Sequence, residues 1–261
     1  MKTTSLLSIV ACAALTHSAF AKIKTEVVEY RDGDTVCEGF LAYDDANDQP
    51  RPGVLVVQDW TGVGDYVKGR ARQLAELGYV AFCADIYGKG VRPTDPKDCA
   101  AQAGKYKGDR PLLRQRVQAG LAQLVKNPLV QKGQVAAIGY CFGGTAVLEL
   151  ARSGADVRGV VSFHGGLGSP TPDDAKHIKA KVLVCHGADD PFVKADEVAA
   201  FKDEMAKGKV NNQFIAYAGA VHSFTNPAAG SDNSKGAAYN AAADKESWTA
   251  MKAFFAEVLA K

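Results

Sequence analysis

The segment "VAAIGYCFGGTAV", from Val135 to Val147, is the most informative part of the sequence about the fold. Its apolar run ends at Gly139, a single cysteine follows, and a helix-like segment begins near Gly143. Glycines on both sides are typical of a strand that turns sharply into a helix, because side chains there would collide with one or the other. Such a turn places Cys141 at the helix N-terminus, where the helix dipole favours a thiolate. The pattern predicts a nucleophile, with a purely structural turn as the alternative.

Strand and helix patterns alternate along the rest of the chain. Two alternating stretches, "KTEVVEYR" and "TVCEGFLAYDD", are joined by a "DGD" turn and predict an antiparallel hairpin. Continuous apolar runs then predict strands buried on both faces, namely "VLVVQDW", "YVAFCADIYG", "QVAAIGY", "RGVVSFHGG", "AKVLVCHGADD" and "NQFIAYAGAVHSF". Helical patterns cover residues 66–77, 96–105, 111–125, 143–152, 194–207 and 241–259. This order predicts an α/β fold with a mostly parallel central sheet, helices on both faces and an N-terminal antiparallel hairpin.

Several chemically active side chains lie at or just past the carboxyl ends of the predicted strands. In open α/β sheets, ligands bind at the carboxyl ends of the strands, so these side chains are candidates for one common site. Five residues have this position: Asp59, Cys141, His164, Asp190 and His222.

The order of these residues matches a nucleophile–acid–histidine triad. "VLVCHGADDPFV" supplies an acid after one strand, and "AGAVHSF" supplies His222 after the next. A neutral imidazole there would take the thiol proton, and a carboxylate would hold the imidazole in the required tautomer. Each of these residues also has a structural interpretation. His222 could be an ordinary surface histidine, and Asp189 and Asp190 could cap the helix that follows them. Their combination in this order favours catalysis.

The chain resembles the dienelactone hydrolase family, within the α/β-hydrolase superfamily, over most of residues 22–261. The resemblance rests on "VVQDWTGV", "GYVAFCADIYG", "GYCFGG", "GADDPFV" and "HSF". It implies an α/β-hydrolase fold and an enzyme that cleaves a small ester or lactone through a thioester on a cysteine. No metal or organic cofactor is expected. The same resemblance makes Cys141 the nucleophile, His222 its base and Asp190 the acid, with Asp189 as the alternative acid.

The resemblance also implies residues that surround the triad. The backbone N–H groups of Trp60 and Phe142 would form the oxyanion hole. Asp59 stands where members with dienelactone activity carry a glutamate that modulates the nucleophile. His164 is a candidate pocket residue, with packing as the alternative.

Asn226 departs from the family in the same region. It occupies the position of an arginine that binds the substrate carboxylate. A preference for neutral esters or lactones is therefore expected, unless Arg92 or Arg110 supplies the missing positive charge.

Composition and motifs limit the alternatives. The formal charge is +2, so nucleic acid is not an expected partner, and a monomer is expected. A thiol redox protein that uses Cys141 is one rival, although no C-x-x-C motif is present. A non-catalytic binding protein on the same fold is the other, but such a role has no need of the ordered acid and histidine.

The first 21 residues have the features of a signal peptide. Lys2 precedes a short apolar run, and the segment ends in an A-x-A site before Lys22. The sequence therefore predicts a periplasmic or secreted protein, with no membrane contact after cleavage, whose single domain covers residues 22–261. Five cysteines remain in it. Export favours a disulfide, for which Cys83 and Cys99 are the candidate pair while Cys141 stays reduced; core packing is the alternative for Cys83 and Cys185.

Overall fold

A mixed sheet of eight strands forms the centre of the described part of the chain. The computed structural model describes residues 22–46 and 48–259, so the predicted signal peptide lies outside the described residues. The strand order is β1-β2-β4-β3-β5-β6-β7-β8. The strands are β1 (Ile23–Asp32), β2 (Thr35–Asp44), β3 (Arg51–Val57), β4 (Val80–Ala84), β5 (Val130–Tyr140), β6 (Gly159–Phe163), β7 (Lys181–Gly187) and β8 (Asn212–Tyr217).

The direction of the strands follows the sequence pattern. β1 and β2 form the predicted antiparallel hairpin, and β2 joins the sheet by pairing antiparallel to β4. All remaining pairs, from β4 through β3 to β8, are parallel. The residues of β3, β4 and β6 are all buried, because helices cover both faces of the sheet. The predicted architecture is confirmed.

Within the described residues, six α-helices flank the sheet in two layers. The helices α1 and α6 pack on one face and α2 to α5 on the other, so two separate apolar cores form. Their bounds are α1 (Asp65–Glu76), α2 (Pro96–Gly108), α3 (Arg110–Val125), α4 (Phe142–Arg152), α5 (Ala195–Lys207) and α6 (Ala241–Val258). Every residue of α4 is buried.

The chain after β8 differs from the predicted strand. β8 ends at Tyr217, so His222 lies in a loop rather than on the strand. There His222 forms an isolated parallel bridge with Ala237. Its N–H donates to the Gly236 carbonyl at 3.1 Å, and its carbonyl accepts from the Ala238 N–H at 3.0 Å. We call residues 218–240 the histidine loop; it folds back on itself and fixes His222 from both sides.

The predicted disulfide between Cys83 and Cys99 is wrong. Both cysteines are buried free thiols, as are Cys37 and Cys185, and Cys141 is a half-buried free thiol. The Cys83 side chain points into the core under α1, where its thiol contacts the Val67 carbonyl. Cys99 lies on α2, beyond the opposite face of the sheet, so the sheet itself separates the two sulfur atoms.

Candidate active site

The nucleophile turn, residues 139–144, is fixed by close backbone packing. We call it the elbow. A Cβ atom on Gly139 would lie 1.9 Å from the Gly143 carbonyl oxygen, and one on Gly143 would lie 2.2 Å from the Val57 carbonyl oxygen. Cys141 itself has a φ of 54°, a strained value for a residue with a side chain. Glycine is therefore required at both positions, and the cysteine side chain is forced out at the carboxyl edge of the sheet.

Three side chains form a continuous hydrogen-bonded chain at this edge. The Cys141 Sγ lies 3.0 Å from His222 Nε2, and His222 Nδ1 lies 2.8 Å from Asp190 Oδ2. The other oxygen of Asp190 accepts the Phe192 N–H at 2.8 Å. The structure thus brings together the three predicted triad residues from β5, β7 and the histidine loop. Asp189, the alternative acid, is exposed and makes no contact with His222 among the residues described.

The charges around His222 favour its protonated form. Burial opposes the charged imidazole, but the charge on the Cys141 sulfur and the hydrogen bond to Asp190 outweigh burial. Together they raise the pKa of His222 from 6.5 to about 10. Protonation of His222 beside Cys141 and Asp190 therefore stabilises the folded protein. This contribution to the free energy of unfolding is complete below pH 6.5 and is lost as the pH rises through about 10. At neutral pH a proton is held beside the sulfur, available for transfer.

Two backbone N–H groups at the carboxyl edge of the sheet have no acceptor within the described part of the chain. They belong to Trp60 and Phe142. Phe142 is the first residue of α4, and the end of β3 packs directly over this helix N-terminus at Gly143. The Trp60 peptide is also anchored, because the Tyr87 hydroxyl donates to the Trp60 carbonyl at 3.2 Å. Within the described residues, both predicted oxyanion donors are thus unpaired, one after β3 and one at the first residue of α4.

Asp59 supports the loop that carries Trp60. Its Oδ1 accepts the Thr61 N–H at 2.9 Å and the Thr61 hydroxyl at 2.6 Å. Burial raises the pKa of the Asp59 carboxyl, although the two bonds from Thr61 and the charge on His222 act in the opposite direction. Within the described residues, Asp59 makes no hydrogen bond to Cys141. Its contacts are those of a residue that shapes the turn.

His164 lies behind the site, in the core. The Cys141 N–H donates to its Nδ1 at 3.1 Å, and its Nε2 lies 2.7 Å from the Thr225 hydroxyl. Burial, with the nearby charge of His222 adding to it, lowers the pKa of His164 well below its usual value. The ring is therefore neutral, accepts at Nδ1 and donates at Nε2. Of the two expectations for His164, its burial favours packing.

Thr225 is a site residue that the sequence analysis missed. Its hydroxyl also lies 2.5 Å from the Tyr66 hydroxyl, and its carbonyl accepts from Arg70 Nη2 at 2.7 Å. Arg70 is buried and its guanidinium also bonds Asp244 at 2.5 Å. These bonds tie the histidine loop to α1, β6 and α6. A threonine in a loop carries no sequence signal for such a role, because its partners are distant in the chain.

Two further candidate residues are occupied by local contacts. The Asn226 side chain accepts the Ala228 N–H at 3.0 Å, which caps a short 3₁₀ turn at residues 227–229. Arg92 donates to the carbonyls of Glu38, Gly88 and Val91 and pairs with Asp85. Arg92 is therefore not available to replace the missing arginine, and Arg110 is the remaining candidate.

The sequence and the fold agree with one known family. A model of the dienelactone hydrolase family matches residues 37–259. The chain belongs to the dienelactone hydrolase family. Membership implies that the protein is a hydrolase like other dienelactone hydrolases and acts on a small-molecule substrate. No group of three or more histidine, cysteine, aspartate or glutamate residues suited to a metal ion occurs among residues 22–46 and 48–259.

Three relatives align with about nine-tenths of this chain. The chain is 44% identical to a dienelactone hydrolase-like promiscuous phosphotriesterase from metagenomic libraries, over 91% of this chain and 99% of that one, with a TM-score of 0.87. A Klebsiella pneumoniae structure described as a dienelactone hydrolase is 22% identical, covers 90% of this chain and 99% of that one, and has a TM-score of 0.77; it shows the fold alone. A Synechocystis sp. protein assigned as a carboxymethylenebutenolidase is 26% identical over 251 residues, 89% of this chain and 96% of that protein.

Each helix within residues 22–46 and 48–259 is too short or too polar to span a bilayer.

Proposed function

We propose that the protein hydrolyses a small ester or lactone through a thioester on Cys141. The observation that carries the proposal is the chain of hydrogen bonds from Asp190 through His222 to the Cys141 sulfur. Two unpaired N–H groups, of Trp60 and Phe142, lie at the same edge of the sheet. A nucleophile, a proton carrier with its orienting acid, and donors for a developing oxyanion are the parts that acyl transfer requires.

In the first half of the reaction, the thiolate of Cys141 attacks the ester carbonyl carbon. The carbonyl oxygen becomes negative and accepts hydrogen bonds from the two N–H groups. The carbon–oxygen bond to the alcohol then breaks, and His222 gives its proton to the leaving alkoxide. The product of this half is a thioester on Cys141 and a free alcohol; for a lactone, the hydroxyl remains on the acyl group.

In the second half, His222 is neutral and takes a proton from a water molecule. The resulting hydroxide attacks the thioester carbonyl, and the carbon–sulfur bond breaks. Sulfur leaves as a thiolate beside the protonated His222, so the starting charges are restored. Asp190 accepts from Nδ1 throughout and keeps Nε2 directed at the sulfur.

Two exposed aromatic side chains suit the apolar part of a small substrate. Trp60 is 38% exposed and Phe192 is 61% exposed. The Phe192 ring packs edge-on against the His222 ring, with centroids 5.5 Å apart. Exposed rings at this position would bury apolar surface only when a substrate is bound.

The test is ester hydrolysis by purified protein and by variants at the cysteines. Cys141→Ala should abolish turnover with the fold intact, and Cys141→Ser should be nearly inactive because an alcohol ionises far less readily than a thiol. Cys37→Ala, which removes a buried thiol from β2, is the matched control and should keep the wild-type rate. Mass spectrometry should find an acyl group on Cys141 after rapid quenching. Full hydrolysis by Cys141→Ala would overturn the proposal.

A second candidate activity is cleavage of phosphotriesters at the same site. The observation that favours it is the 44% identity, over 91% of this chain, to a promiscuous phosphotriesterase. Measured turnover of a neutral aryl phosphotriester that disappears in Cys141→Ala would support this activity. Turnover that persists in that variant would assign it to another group.

We further propose that residues 1–21 are cleaved on export, in keeping with the A-x-A site before Lys22. N-terminal sequencing of protein from the periplasm or medium should then begin at Lys22. Recovery of an intact Met1 from that fraction would contradict cleavage.

A further inference from the structure

One buried tyrosine contacts both residues whose N–H groups are unpaired. Tyr87 lies in the segment directly after β4. Its hydroxyl donates to the Trp60 carbonyl at 3.2 Å. Its ring packs against the Phe142 ring, with centroids 5.4 Å apart and 43° between the ring planes. Trp60 follows β3 and Phe142 begins α4, so a single side chain joins two elements that are far apart in the sequence.

The peptide group between Trp60 and Thr61 is held at both ends. Its carbonyl accepts from Tyr87, and its N–H donates to Asp59 Oδ1 at 2.9 Å. The Trp60 N–H belongs to the preceding peptide group, whose carbonyl accepts the Gly62 N–H at 3.5 Å and closes the turn. The two rigid peptide groups meet at the Trp60 Cα, so only one pair of rotatable bonds separates the oxyanion donor from the group that Tyr87 holds.

Tyr87 is itself fixed by three other elements. The fully buried Asp85 carboxylate accepts the N–H groups of Tyr87 at 3.2 Å and Gly88 at 3.1 Å through Oδ1, and that of Glu38 on β2 at 2.9 Å through Oδ2. Tyr106 on α2 donates its hydroxyl to the Tyr87 carbonyl at 3.3 Å, and the two rings stack with centroids 5.5 Å apart. The position of the Tyr87 hydroxyl is therefore set by β2, β4 and α2 together.

The environment of Tyr87 also keeps its hydroxyl proton in place. Burial raises the pKa of Tyr87 above its usual range, and the charges of Cys141 and Asp59 add to this effect. The hydroxyl is therefore protonated at neutral pH, and it must donate to Trp60 because a carbonyl oxygen can only accept. The influence of the Cys141 charge shows that this hydroxyl lies within electrostatic reach of the nucleophile.

We propose that Tyr87 is the positioning residue of the oxyanion hole, holding Trp60 through its hydroxyl and Phe142 through its ring. The proposal rests on the proposed ester hydrolysis, in which a negative oxygen forms in both halves of the reaction. Donors that are fixed in advance stabilise such a charge because nothing has to reorganise when it forms. Loss of this support should therefore affect the transition state more than the binding of substrate.

The test is Tyr87→Phe, which keeps the ring and removes only the hydroxyl. We expect kcat for ester hydrolysis to fall about tenfold, the equivalent of one hydrogen bond, with KM little changed. Alkylation of Cys141 by iodoacetamide should keep its wild-type rate, because the displacement of iodide forms no oxyanion. An unchanged kcat would overturn the proposal. A parallel fall in the alkylation rate would also do so, since it would assign the effect to the thiol.

Tyr30→Phe is the matched control. The buried Tyr30 hydroxyl also bonds the segment after β4, donating to the Asp85 carbonyl at 3.1 Å and accepting the Asp85 N–H at 2.9 Å. Among the described residues it makes no hydrogen bond to Trp60. This variant should lower the melting temperature at least as much as Tyr87→Phe does, yet keep the wild-type kcat. An equal fall in kcat would mean that the whole segment matters and that Tyr87 has no special role.

Phe142→Leu tests the ring contact separately. The leucine keeps the backbone N–H but loses the contact with the Tyr87 ring. We expect a lower kcat with KM and the alkylation rate unchanged. This variant decides the test if Tyr87→Phe does not fold, and an unchanged kcat would then contradict the proposal.

Binding of benzyl trifluoromethyl ketone separates this proposal from the proposed function. The Cys141 thiolate adds to the ketone carbon, the carbonyl oxygen becomes an oxyanion, and no leaving group departs. The ketone should protect Cys141 from iodoacetamide, and Tyr87→Phe should need about tenfold more of it. If the protein hydrolyses no ester, the proposed function fails, and this shift still supports the role of Tyr87. Equal protection of both proteins, or none of either, would refute that role.

Discussion

The elbow and the histidine loop bring their functional side chains to one point by different means. In the elbow, the contacts that fix Cys141 are between backbone atoms of β3, β5 and α4, and they leave no room for a Cβ at Gly139 or Gly143. In the histidine loop, two backbone hydrogen bonds hold His222 within the loop, and side-chain hydrogen bonds anchor the loop itself to the rest of the protein. Thr225, three residues later, bonds Tyr66 across 159 positions of the sequence and His164 across 61.

This difference indicates how each region responds to change. A steric fit between backbones is lost entirely when one methyl group is added, because neither side can move without disturbing the sheet. A loop held by several hydrogen bonds loses them one at a time, at about 1 to 3 kcal/mol each for buried groups. Substitutions of Gly139 or Gly143 in the elbow should therefore affect the whole fold, whereas those in the histidine loop should mainly affect catalysis.

The largest effect is expected from Gly139→Ala. The new methyl group would lie 1.9 Å from the Gly143 carbonyl oxygen, so the elbow must open. We expect a loss of about 3 kcal/mol or more in the free energy of unfolding, measured by urea denaturation. Gly104→Ala is the control, because Gly104 is exposed on α2 with nothing within 4 Å of its Cβ position. That change should stabilise the protein by about 0.5 to 1 kcal/mol. Equal stabilities of the two variants would remove the basis of the comparison.

Asp190→Asn should have the next largest effect, on catalysis rather than on folding. The amide cannot hold the protonated His222 in the same way, so kcat for ester hydrolysis should fall by about three orders of magnitude. Asp189→Asn changes the neighbouring, exposed carboxylate and should leave kcat unchanged. A large loss in Asp189→Asn instead would mean that the wrong aspartate has been assigned to His222.

Thr225→Val should have a moderate effect. The valine keeps the shape but leaves His164 Nε2 and the Tyr66 hydroxyl without their shared partner. We expect kcat to fall about tenfold with KM little changed, together with a stability loss of about 1 to 3 kcal/mol. Thr249→Val, at an exposed position of α6 where the hydroxyl bonds the Lys245 carbonyl, is the control for the chemical change. If KM rises and kcat does not fall, Thr225 does not position the histidine loop.

Asp59→Asn should have the smallest effect. The asparagine oxygen can still accept from Thr61, so the turn should persist. Burial raises the pKa of Asp59, which means that its charged form costs folding free energy above that pKa; the variant should therefore melt at an equal or higher temperature at pH 7. The pH midpoint of Cys141 alkylation by iodoacetamide should move by less than about one unit. A larger shift, absent in the exposed Asp98→Asn, would show that Asp59 controls the thiol.

The amino-acid sequence was sufficient to predict features that depend on residues close together in the chain. The strand and helix order follows from apolar periodicity, which depends on residues only a few positions apart. The elbow follows from glycines at fixed spacing around Cys141, since the steric need for them lies within one turn of chain. The placement of Asp190 and His222 after their strands follows from the rule that parallel strands end at one edge.

Other features depend on contacts between distant parts of the chain and become visible only in the folded protein. Packing determines that Cys83 and Cys99 face opposite sides of the sheet, because the direction of a side chain depends on what packs against the strand. It also determines that Asp190 rather than Asp189 meets His222, that His164 is buried, and that Thr225 joins α1 to the histidine loop. No local pattern encodes these pairings, because each one is made when separate elements pack together.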